Sequence, residues 1–546
     1  MEENNKNRSP HVAYFCMEYG LHENLPIYSG GLGVLAGDYL KAASDQDLPM
    51  VGIGILWRQD YTEQYIDAHG NPYDVYPEHD FDFLKETGIT VNVEIRGVSV
   101  PCRVWLVDHY NNAPLYLLDA AVPESKHGWI TSRLYGGGNE ARIAQEMILG
   151  AGGIRALRAL NYQVDLYHFN EGHAVFAGLE LIREKMERGA SFEQAWEETR
   201  RQVVFTTHTP VEAGNEKHSH HQLQELGAYL GLNHDQMMQI GGEPFNMTKA
   251  ALRLSNKANA VSRMHGKTSR NLWGDTDNIP EIITITNGVH VPTWQDPAIE
   301  EAYRNGTDLW APHMQAKKEL IEFIRHKTGE KMNPDALIVG FARRATAYKR
   351  SDLIFGDTSI ISPVIKEGKL QLVFSGKAHP DDDFGKSIIR DLIRMDREFR
   401  NSVIFLENYD MKIAKYMISG CDLWLNNPRR PMEASGTSGM KAALNGVLNL
   451  SVVDGWVVEG VEHGVSGWLL EHEEENEHLD EDERDLQALY RVLLTEVIPT
   501  YYENHSRWQE MMRASIEMAE WKFSSERMIL DYYESMYKEA PATMLP

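Results

Sequence analysis

The chain has 546 residues and a formal net charge of −26, from 54 Lys and Arg against 80 Asp and Glu. Hydrophobic residues make up 42% and charged residues 25%, which is ordinary globular composition and excludes a disordered chain, a collagen and a coiled-coil rod. The acidic balance repels nucleic-acid phosphates and anionic membrane surfaces, so we expect neither as a partner.

The chain contains three cysteines, Cys16, Cys102 and Cys421. Their odd number and wide separation argue against a disulfide framework and favour a reducing compartment. The first residues are polar and lack the apolar segment of a signal peptide, and no apolar run reaches the length of about 18 residues expected of a transmembrane helix. These features predict a cytoplasmic protein.

Short apolar runs alternate with amphipathic helical stretches along most of the chain. Buried strands separated by helices form parallel sheets, and such sheets bind ligands at the carboxyl ends of their strands. The helical stretches include Asn139–Leu160 and Asp382–Arg400. The predicted strands are Val164–Asn170, Gln202–Thr207, Ile282–Thr286, Leu337–Ala342, Leu370–Ser375, Ser402–Glu407 and Leu423–Asn426.

A domain boundary is expected where the turn Asn287-Gly288 is followed by the proline-containing stretch Val291–Pro297. We therefore divide the chain into an N-terminal lobe of residues 1–296, a C-terminal lobe of residues 297–500 and a helical segment, 501–546, packing back on the lobes. The acidic stretch from Glu471 to Asp485 is predicted to be a solvated loop.

A glycine cluster lies between Tyr28 and Ala36, with Gly30, Gly31 and Gly33 in four positions and a helical pattern from Val34 to Gln46. Glycines permit unusual dihedral angles and a close approach of the backbone to a ligand, and backbone amides at a helix start bind anions. A plain tight turn is the alternative.

Four cations follow the predicted strand Leu337–Ala342 within a few residues: Arg343, Arg344, Lys349 and Arg350. Arginine grips a phosphate with two hydrogen bonds and lysine adds a point charge. The alternative is a solvated basic face at a helix start, where cations oppose the helix dipole unless an anion compensates them.

The segment Glu433–Lys441 is rich in small and hydroxyl residues and ends in a lysine at the predicted start of a helix. Such a loop suits a phosphate group or sugar hydroxyls. A lysine in a partly dry site can form a Schiff base, although composition does not separate this role from that of an ordinary phosphate-binding lysine.

Three predicted strands of the first lobe end in short polar sequences: Asn170–His173, Thr206–Pro210 and Thr286–His290. They suit sugar hydroxyls, and helix capping and turn formation are the alternative. Three further histidines, His218, His220 and His221, have no zinc-site spacing and no supporting cysteine, so we predict no metal site.

Together these segments resemble the glycogen and starch phosphorylase family, the α-glucan phosphorylases, and in particular its short bacterial and archaeal branch. EASGTSGMKAALNG, Glu433–Gly446, is similar to the family's pyridoxal-phosphate attachment segment, with Lys441 as the attachment lysine. The other matches, in family order, are YSGGLGVLAGDYLKAASD from Tyr28, RLYGGG from Arg133, NEGHA from Asn170, TNGVH from Thr286, RRATAYKR from Arg343 and GKAHP from Gly376.

The resemblance implies an α/β fold of two Rossmann-like lobes facing a cleft, the glycosyltransferase-B type. It implies phosphorolysis of an α-1,4-glucan by inorganic phosphate to α-glucose 1-phosphate with retention of configuration. The implied cofactor is pyridoxal 5'-phosphate, whose phosphate group takes part in turnover. The implied partners are the glucan and inorganic phosphate, and a homodimer stays open because phosphorylases are often dimers.

The resemblance also assigns roles by position. Lys441 would hold the cofactor, with Gly31, Arg343, Thr437 and Ser438 around its phosphate group. The implied catalytic residues are Arg344 and Lys349, which would bind the substrate phosphate, and His173. Residues implied in substrate binding, which would contact mainly the glucosyl unit, are Gly30, Leu32, His173, Asn287, Tyr409, Glu433, Ala434, Ser435 and Gly436.

The sequence departs from the long animal and plant phosphorylases at several positions. Ser438-Gly439 replaces Gly-Asn, Asp410 stands where they carry a basic residue, and Thr346 replaces a histidine. The chain is also much shorter than they are, so we expect neither phosphorylation control nor nucleotide activation, and no allosteric control of that kind.

Two other functions remain open from the sequence. A nucleotide-sugar-dependent glucosyltransferase, similar to glycogen synthase, would use the same cations on a diphosphate but would not need Lys441. A non-catalytic glucan-binding regulator would be a decayed enzyme, against which the retained Arg344, Lys349 and Lys441 argue.

Overall fold

The computed structural model describes residues 9–123, 125–211, 214–472 and 479–538. Contacts divide the chain into two compact units. Unit 1 comprises the described parts of residues 1–61, 76–286 and 525–546, and unit 2 those of residues 62–75 and 287–524. The boundaries between the units thus follow residues 286 and 524, whereas the sequence analysis placed boundaries after residues 296 and 500. The short segment of residues 62–75 also belongs to unit 2.

The strands of the described chain are numbered in chain order. They are β1 Val12–Phe15, β2 Met50–Ile55, β3 Glu63–Ile66, β4 Pro72–Val75, β5 Lys85–Ile95, β6 Val98–Val107, β7 Leu115–Asp119, β8 Leu166–Asn170, β9 Val203–Thr206, β10 Lys217–His218, β11 Phe245–Asn246, β12 Lys257–Ala260, β13 Ile282–Thr284, β14 Leu337–Ala342, β15 Leu370–Ser375, β16 Val403–Leu406, β17 Leu423–Asn426, β18 Leu448–Val452 and β19 Gly467–Leu470.

The α-helices are numbered in the same way. They are α1 Gly31–Asp45, α2 Asn139–Met147, α3 Gly153–Ala159, α4 Val175–Glu187, α5 Phe192–Arg200, α6 His220–Leu226, α7 His234–Gly241, α8 Met247–Arg253, α9 Arg263–Trp273, α10 Val291–Trp294, α11 Pro297–Arg304, α12 Trp310–Thr328, α13 Thr358–Lys366, α14 Asp383–Glu398, α15 Met411–Gly420, α16 Thr437–Leu444, α17 Val457–Gly460, α18 Glu481–Val492, α19 Ile498–Glu503, α20 His505–Phe523 and α21 Ser525–Tyr532.

Unit 1 is built on a nine-stranded sheet in the order β13-β12-β9-β8-β1-β2-β7-β6-β5. Neighbouring strands from β13 to β7 are parallel, and β6 and β5 extend this sheet antiparallel. The central strands are entirely buried because helices cover parallel sheets on both faces. Their carboxyl ends lead into the polar segments that the sequence singled out.

Unit 2 is built on a six-stranded sheet in the order β16-β15-β14-β17-β18-β19, in which every neighbouring pair is parallel. The strand β14 is central, and Arg343 follows it directly. The antiparallel hairpin β3-β4 belongs to unit 2, where the Lys386 Nζ atom lies 2.8 Å from Asp74 Oδ2. These two parallel-sheet units confirm the predicted α/β class.

Local sequence explains where several helices begin. Ser191 and Gln194 form a reciprocal capping box at the start of α5, and Asp382 accepts the Gly385 amide at the start of α14. The predicted helix Asn139–Leu160 is observed as α2 and α3, joined by a π turn at Ile148–Gly152. None of the described helices is long and apolar enough to cross a membrane.

The acidic stretch Glu471–Asp485 differs from the solvated loop that was expected. Residues 473–478 of this stretch lie outside the described part of the chain. Asp480 caps α18, which carries Asp482 in its first turn and Asp485 just after it. These two carboxylates pair with Arg350, and Asp485 is fully buried, so the end of the stretch is part of the core.

Candidate functional site

Two cations converge on one carboxylate oxygen in unit 2. Arg343 Nη2 lies 2.7 Å and Lys349 Nζ lies 2.6 Å from Glu433 Oε2. All three residues are less than 9% exposed. Burial raises the pKa of Glu433, but the adjacent guanidinium and ammonium groups outweigh it and hold the pKa below its ordinary value. Glu433 is therefore ionised and the buried trio carries a net positive charge.

The four cations of the basic segment have different surroundings. Arg343 and Lys349 share Glu433, whereas Arg344 is exposed. Arg350 donates to the carbonyls of Asn427 and Pro428 and pairs with the partly exposed Asp482 and the buried Asp485 of α18. The segment forms a 3-10 turn at Ala347–Lys349, so the alternative of a basic face at the start of an α-helix does not apply. Glu433 is the anion beside two of its cations.

The predicted cofactor lysine lies on α16. Lys441 is the fifth residue of α16, so it lies about one turn inside the helix, whereas the sequence predicted it at the helix start. The Nζ atom of Lys441 lies 3.8 Å from the centroid of the Trp294 ring. Gly436 precedes the helix at φ +90°, a left-handed conformation that glycine adopts without strain. No side chain caps this helix start, so the backbone amides of the first turn, which includes Thr437 and Ser438, remain available to an anion.

The hydroxyl groups in this region are of two kinds. Ser438 Oγ accepts a hydrogen bond from Trp424 Nε1 at 3.3 Å, so it supports the helix start. Ser435 Oγ and Thr346 Oγ1 are buried without a hydrogen-bond partner. Buried polar atoms without a protein partner are uncommon, and they are usually satisfied by a ligand or an ordered water.

Tyr409 and Asp410 follow strand β16. Burial, and then the Asp410 carboxylate, raise the pKa of the Tyr409 hydroxyl, with Arg343 acting in the opposite direction. The Asp410 Oδ1 atom accepts the Ile413 amide at 2.7 Å and caps α15. Asp410 thus has a structural role that accounts for an acid where the long enzymes have a base.

The glycine cluster of unit 1 forms the start of α1. The Glu18 carboxylate accepts the Ser29 amide at 2.6 Å and the Gly30 amide at 3.2 Å, and Tyr135 also donates to it at 2.9 Å. A Cβ atom added at Gly30 or Gly31 would meet nothing within 4 Å. These two glycines therefore border open space, and Leu32 beside them is half-buried.

His173 follows β8 in a 3-10 turn, Gly172–Ala174. Its Nδ1 atom is buried without a hydrogen-bond partner, and its ring lies 6.1 Å from the Tyr135 ring, edge to face. Burial, reinforced by the Arg142 charge, lowers the pKa of His173 to about 3. The imidazole is consequently neutral at physiological pH.

A buried ionic cluster lies beside His173. The Arg142 Nε atom lies 2.8 Å from Glu216 Oε1 and 3.4 Å from Glu146 Oε1, and His218 Nε2 lies 3.1 Å from Glu146 Oε2. Glu146, Glu216 and His218 offer ligand atoms within 4.8 Å of one another, a metal-like grouping that spacing in the sequence did not suggest. The Arg142 guanidinium already lies against both carboxyl groups.

Two functional candidates at the polar strand ends were not chosen from the sequence. Glu171 is buried at φ +70° and accepts hydrogen bonds from the His208 amide and from Thr209 Oγ1. The His208 Nε2 atom lies 2.7 Å from Asn170 Oδ1. Glu171 lies in the segment NEGH and His208 in the segment TTHTP. The sequence analysis pointed to both segments but gave no reason to choose these two residues in addition to His173.

Asn287 is buried and begins the second segment of unit 2, residues 287–524. The described structure thus places Arg343, Lys349, Tyr409, Asn287 and the Glu433–Lys441 segment in unit 2. Gly30, Gly31, Leu32 and His173 belong to unit 1. Within unit 2 the structure brings Arg343, Lys349 and Glu433 together, whereas the next residue, Arg344, is exposed.

The two units define an α/β protein with a cationic site and a lysine-bearing helix at the edge of a parallel sheet. The family model described as carbohydrate phosphorylase matches residues 298–470. The maltodextrin phosphorylase of Thermococcus litoralis is 40% identical over 98% of this chain and 71% of its own length. The glycogen phosphorylase of Aquifex aeolicus is 35% identical over 97% of this chain and 86% of its length.

An uncharacterized protein of Methanocaldococcus jannaschii is 33% identical over 96% of this chain and 99% of its own length. These similarities cover nearly the whole chain, and the chain belongs to the carbohydrate phosphorylase family. The resemblance seen in the sequence motifs is confirmed.

Proposed function

We propose that this chain is an α-1,4-glucan phosphorylase that releases α-glucose 1-phosphate from a maltodextrin, glycogen or starch chain with retention. The observation that carries the proposal is the convergence of Arg343 and Lys349 on one buried carboxylate oxygen directly after β14. Two cations held together away from water suit a dianionic phosphate. Relatives named maltodextrin phosphorylase and glycogen phosphorylase support a glucan as the second substrate.

Pyridoxal 5'-phosphate is the proposed cofactor, and the residues around Lys441 fit it. Lys441 would hold it, the uncapped amides of Thr437 and Ser438 and the unpartnered Nη1 atom of Arg343 would bind its phosphate group, and Gly31 is a further proposed contact. When bound, this cofactor supplies a phosphate group that exchanges a proton with the substrate phosphate.

The chain's own residues position the two substrates. Arg344 and Lys349 are proposed to bind the substrate phosphate, and the positive charges beside it stabilise the charge that moves onto phosphate oxygens as the glycosidic bond breaks. The ionised Glu433 accepts hydrogen bonds from sugar hydroxyls, with Ala434, Ser435 and Gly436 beside it. His173, neutral because its pKa is low, exchanges hydrogen bonds with a hydroxyl without adding charge, and Asn287 is proposed to bind the same sugar.

The experiment that tests the function is a product assay on purified protein supplied with pyridoxal phosphate. Maltoheptaose is incubated with and without inorganic phosphate, and α-glucose 1-phosphate is quantified. Phosphate-dependent product is the expected result. Transfer of glucose from a nucleotide-glucose without pyridoxal phosphate would instead identify a glucosyltransferase, and tight glucan binding without turnover would identify a regulator.

A matched pair of lysine variants tests the cofactor. Lys441→Ala should lose bound pyridoxal phosphate, measured by absorbance and by phosphate analysis, together with activity. Lys412→Ala removes an exposed lysine of α15 in the same unit and should change neither. Unchanged phosphorolysis by Lys441→Ala would refute the cofactor assignment.

Cytoplasmic residence and a homodimer are proposed as well. All three cysteines are free and buried, which supports a reducing compartment. The homodimer is proposed from the family alone, and sedimentation equilibrium on the purified chain tests it.

A further inference from the structure

We propose that Asp454 is the positioning residue for the loop Glu433–Gly436, which holds the substrate in the proposed function. The inference rests on the proposed function, which assigns substrate binding to this loop. Asp454 lies two residues after β18 and is 3% exposed. The Oδ2 atom of Asp454 accepts the Glu433 amide at 2.9 Å, and its Oδ1 atom accepts the Gly455 amide at 2.8 Å. Both carboxylate oxygens are thus committed to the backbone.

The backbone next to Asp454 lies directly against the same loop. The Trp456 amide donates to the Ser435 carbonyl at 3.0 Å. A Cβ atom on Gly455 would lie 2.4 Å from that carbonyl oxygen, and Gly455 has φ +61°, so only glycine permits this approach. The segment Asp454–Trp456 therefore fixes the loop at two points, Glu433 and Ser435.

Fixing the Glu433 backbone determines where its side chain can reach. Glu433 shares its Oε2 atom between Arg343 and Lys349, and a shift of the loop moves that oxygen relative to both cations. Asp454 itself contacts neither cation in the described structure. It acts through Glu433, so its loss should alter substrate affinity more than the chemistry of turnover.

The charge of Asp454 responds to pH near neutrality. Burial raises the pKa of Asp454 to about 6, although the hydrogen bonds from the Glu433 and Gly455 amides lower it; the Glu433 carboxylate adds to the rise and Arg430 opposes it. Because the two amide hydrogen bonds favour the ionised carboxylate, protonation of the buried Asp454 weakens them. Glu433 faces Asp454 from the loop, and its own charge is balanced by Arg343 and Lys349. Once protonated, one carboxyl oxygen becomes a donor, and Asp454 no longer accepts well from both amides. The loop is then held less firmly below about pH 6.

Hydrogen exchange of the full chain tests the positioning directly, without reference to activity. The asparagine in Asp454→Asn has only one acceptor oxygen, and this oxygen is uncharged. At about pH 7.5 one of the two amides therefore loses its acceptor and the other keeps a weaker one, so hydrogen exchange at Glu433 and Gly455 should rise by about tenfold. The control is Asp357→Asn, which removes a carboxylate that caps α13 by accepting the Ser359 amide and should leave both sites unchanged. Unchanged exchange at Glu433 and Gly455 in Asp454→Asn would overturn the proposal.

A second measurement needs no variant and applies even if Asp454→Asn does not fold. In the wild-type chain, protection of the Glu433 and Gly455 amides, corrected for intrinsic exchange, should fall as pH drops through about 6. Protection of the Ser359 amide, whose Asp357 acceptor has a pKa below its ordinary value, should stay constant over that range. Parallel behaviour of all three amides would overturn the proposal.

Kinetics separate this proposal from the proposed function. The value of kcat/KM for glucan is measured at each pH for the wild type and for Asp454→Asn, and the ratio of the two values removes the effect of phosphate ionisation, which both proteins share. This ratio should be about tenfold near pH 7.5, and the difference should come from KM. The ratio should approach one at lower pH. A ratio that is constant with pH would count against Asp454. Absence of phosphorolysis in the wild type would reject the function and leave the exchange test decisive for the positioning.

Discussion

Lys349 and Arg343 share one atom, the Oε2 oxygen of Glu433, at 2.6 and 2.7 Å. One carboxylate cannot neutralise two buried cations, so the trio has an excess positive charge in a place with little water to screen it. An anion that enters this place gains more than it would at the surface. The same carboxylate keeps the cations together when the anion is absent.

Removing the Glu433 charge should make the stability of the chain depend on phosphate. Glu433→Gln leaves Arg343 and Lys349 buried without their anion, which costs about 3–5 kcal/mol for a broken buried pair. Inorganic phosphate should restore much of this loss because it binds only the folded cations. Urea unfolding with and without phosphate measures the effect, and potassium chloride at equal ionic strength is the control. Equal recovery with chloride would contradict a specific site.

The glycines of α1 should separate into packing and binding positions. Gly37→Ala places a Cβ atom 2.2 Å from the Gly20 carbonyl and should lose about 1–3 kcal/mol of stability. Gly31→Ala meets no atom within 4 Å and should fold normally while binding less pyridoxal phosphate. Thermal unfolding and cofactor content measured on both variants test this. Full cofactor binding by Gly31→Ala would remove Gly31 from the proposed site.

The ionic cluster around Glu146 should make stability fall as pH rises. Burial and the Glu216 charge raise the pKa of Glu146 to about 8, above its unfolded value of about 4.5. Stability from the protonated form is therefore complete below about pH 4.5 and lost as pH rises through about 8. The raised pKa of His218 acts in the same direction.

Glu146→Gln should remove this dependence. Its denaturation free energy should vary less between about pH 5 and 8 than that of the wild type. Glu140→Gln, an exposed change on the same helix α2, is the control and should follow the wild type. A Glu146→Gln profile as steep as the wild type would contradict the assignment. The low pKa of Glu216, about 2, affects stability only in acid.

A second buried charge network should hold unit 2 together. Lys317 Nζ lies 2.7 Å from Asp422 Oδ2 and 2.9 Å from the Tyr501 hydroxyl, and both charged side chains are fully buried. Lys317→Met removes the lysine partner of the buried Asp422, which keeps its contacts with His313 and the Ile338 amide, and should cost about 3–5 kcal/mol. The neighbouring exposed change Lys318→Met should cost little. Denaturant unfolding measures both.

The double variant Lys317→Met with Asp422→Asn provides the decisive comparison. It removes both charges, so part of the single-variant loss should return. Simple addition of the two single losses would show that the pair does not interact energetically.

Local sequence determined the elements that depend on neighbouring residues. The strands β14, β15 and β17 have the predicted bounds because each is a short, mainly apolar run that is followed by polar residues. The lysine-bearing segment and the glycine cluster were equally visible, since their residue types are adjacent in the chain. The α/β class followed from the alternation of such runs.

Tertiary structure decided which of the basic residues form the site. Glu433 pairs with Lys349 across 84 positions, and Arg350 reaches Asp485 across 135. No periodicity reports such pairings because they depend on which strand ends meet at one sheet edge. The acidic stretch Glu471–Asp485 is a second case in which local sequence did not predict the charge partners. Its composition indicates solvation, but burial of Asp485 depends on a partner far away in the chain.

The sequence by itself thus determined the α/β class, the family and the motifs that carry its chemistry. The fold decided the charge partners, the roles of Asp410 and Asp454, and the points where the chain passes from one unit to the other. The physical reason is that hydrogen bonds between neighbours set helices and strands. Pairing and desolvation of charges are set by distances in space that only the packed chain defines.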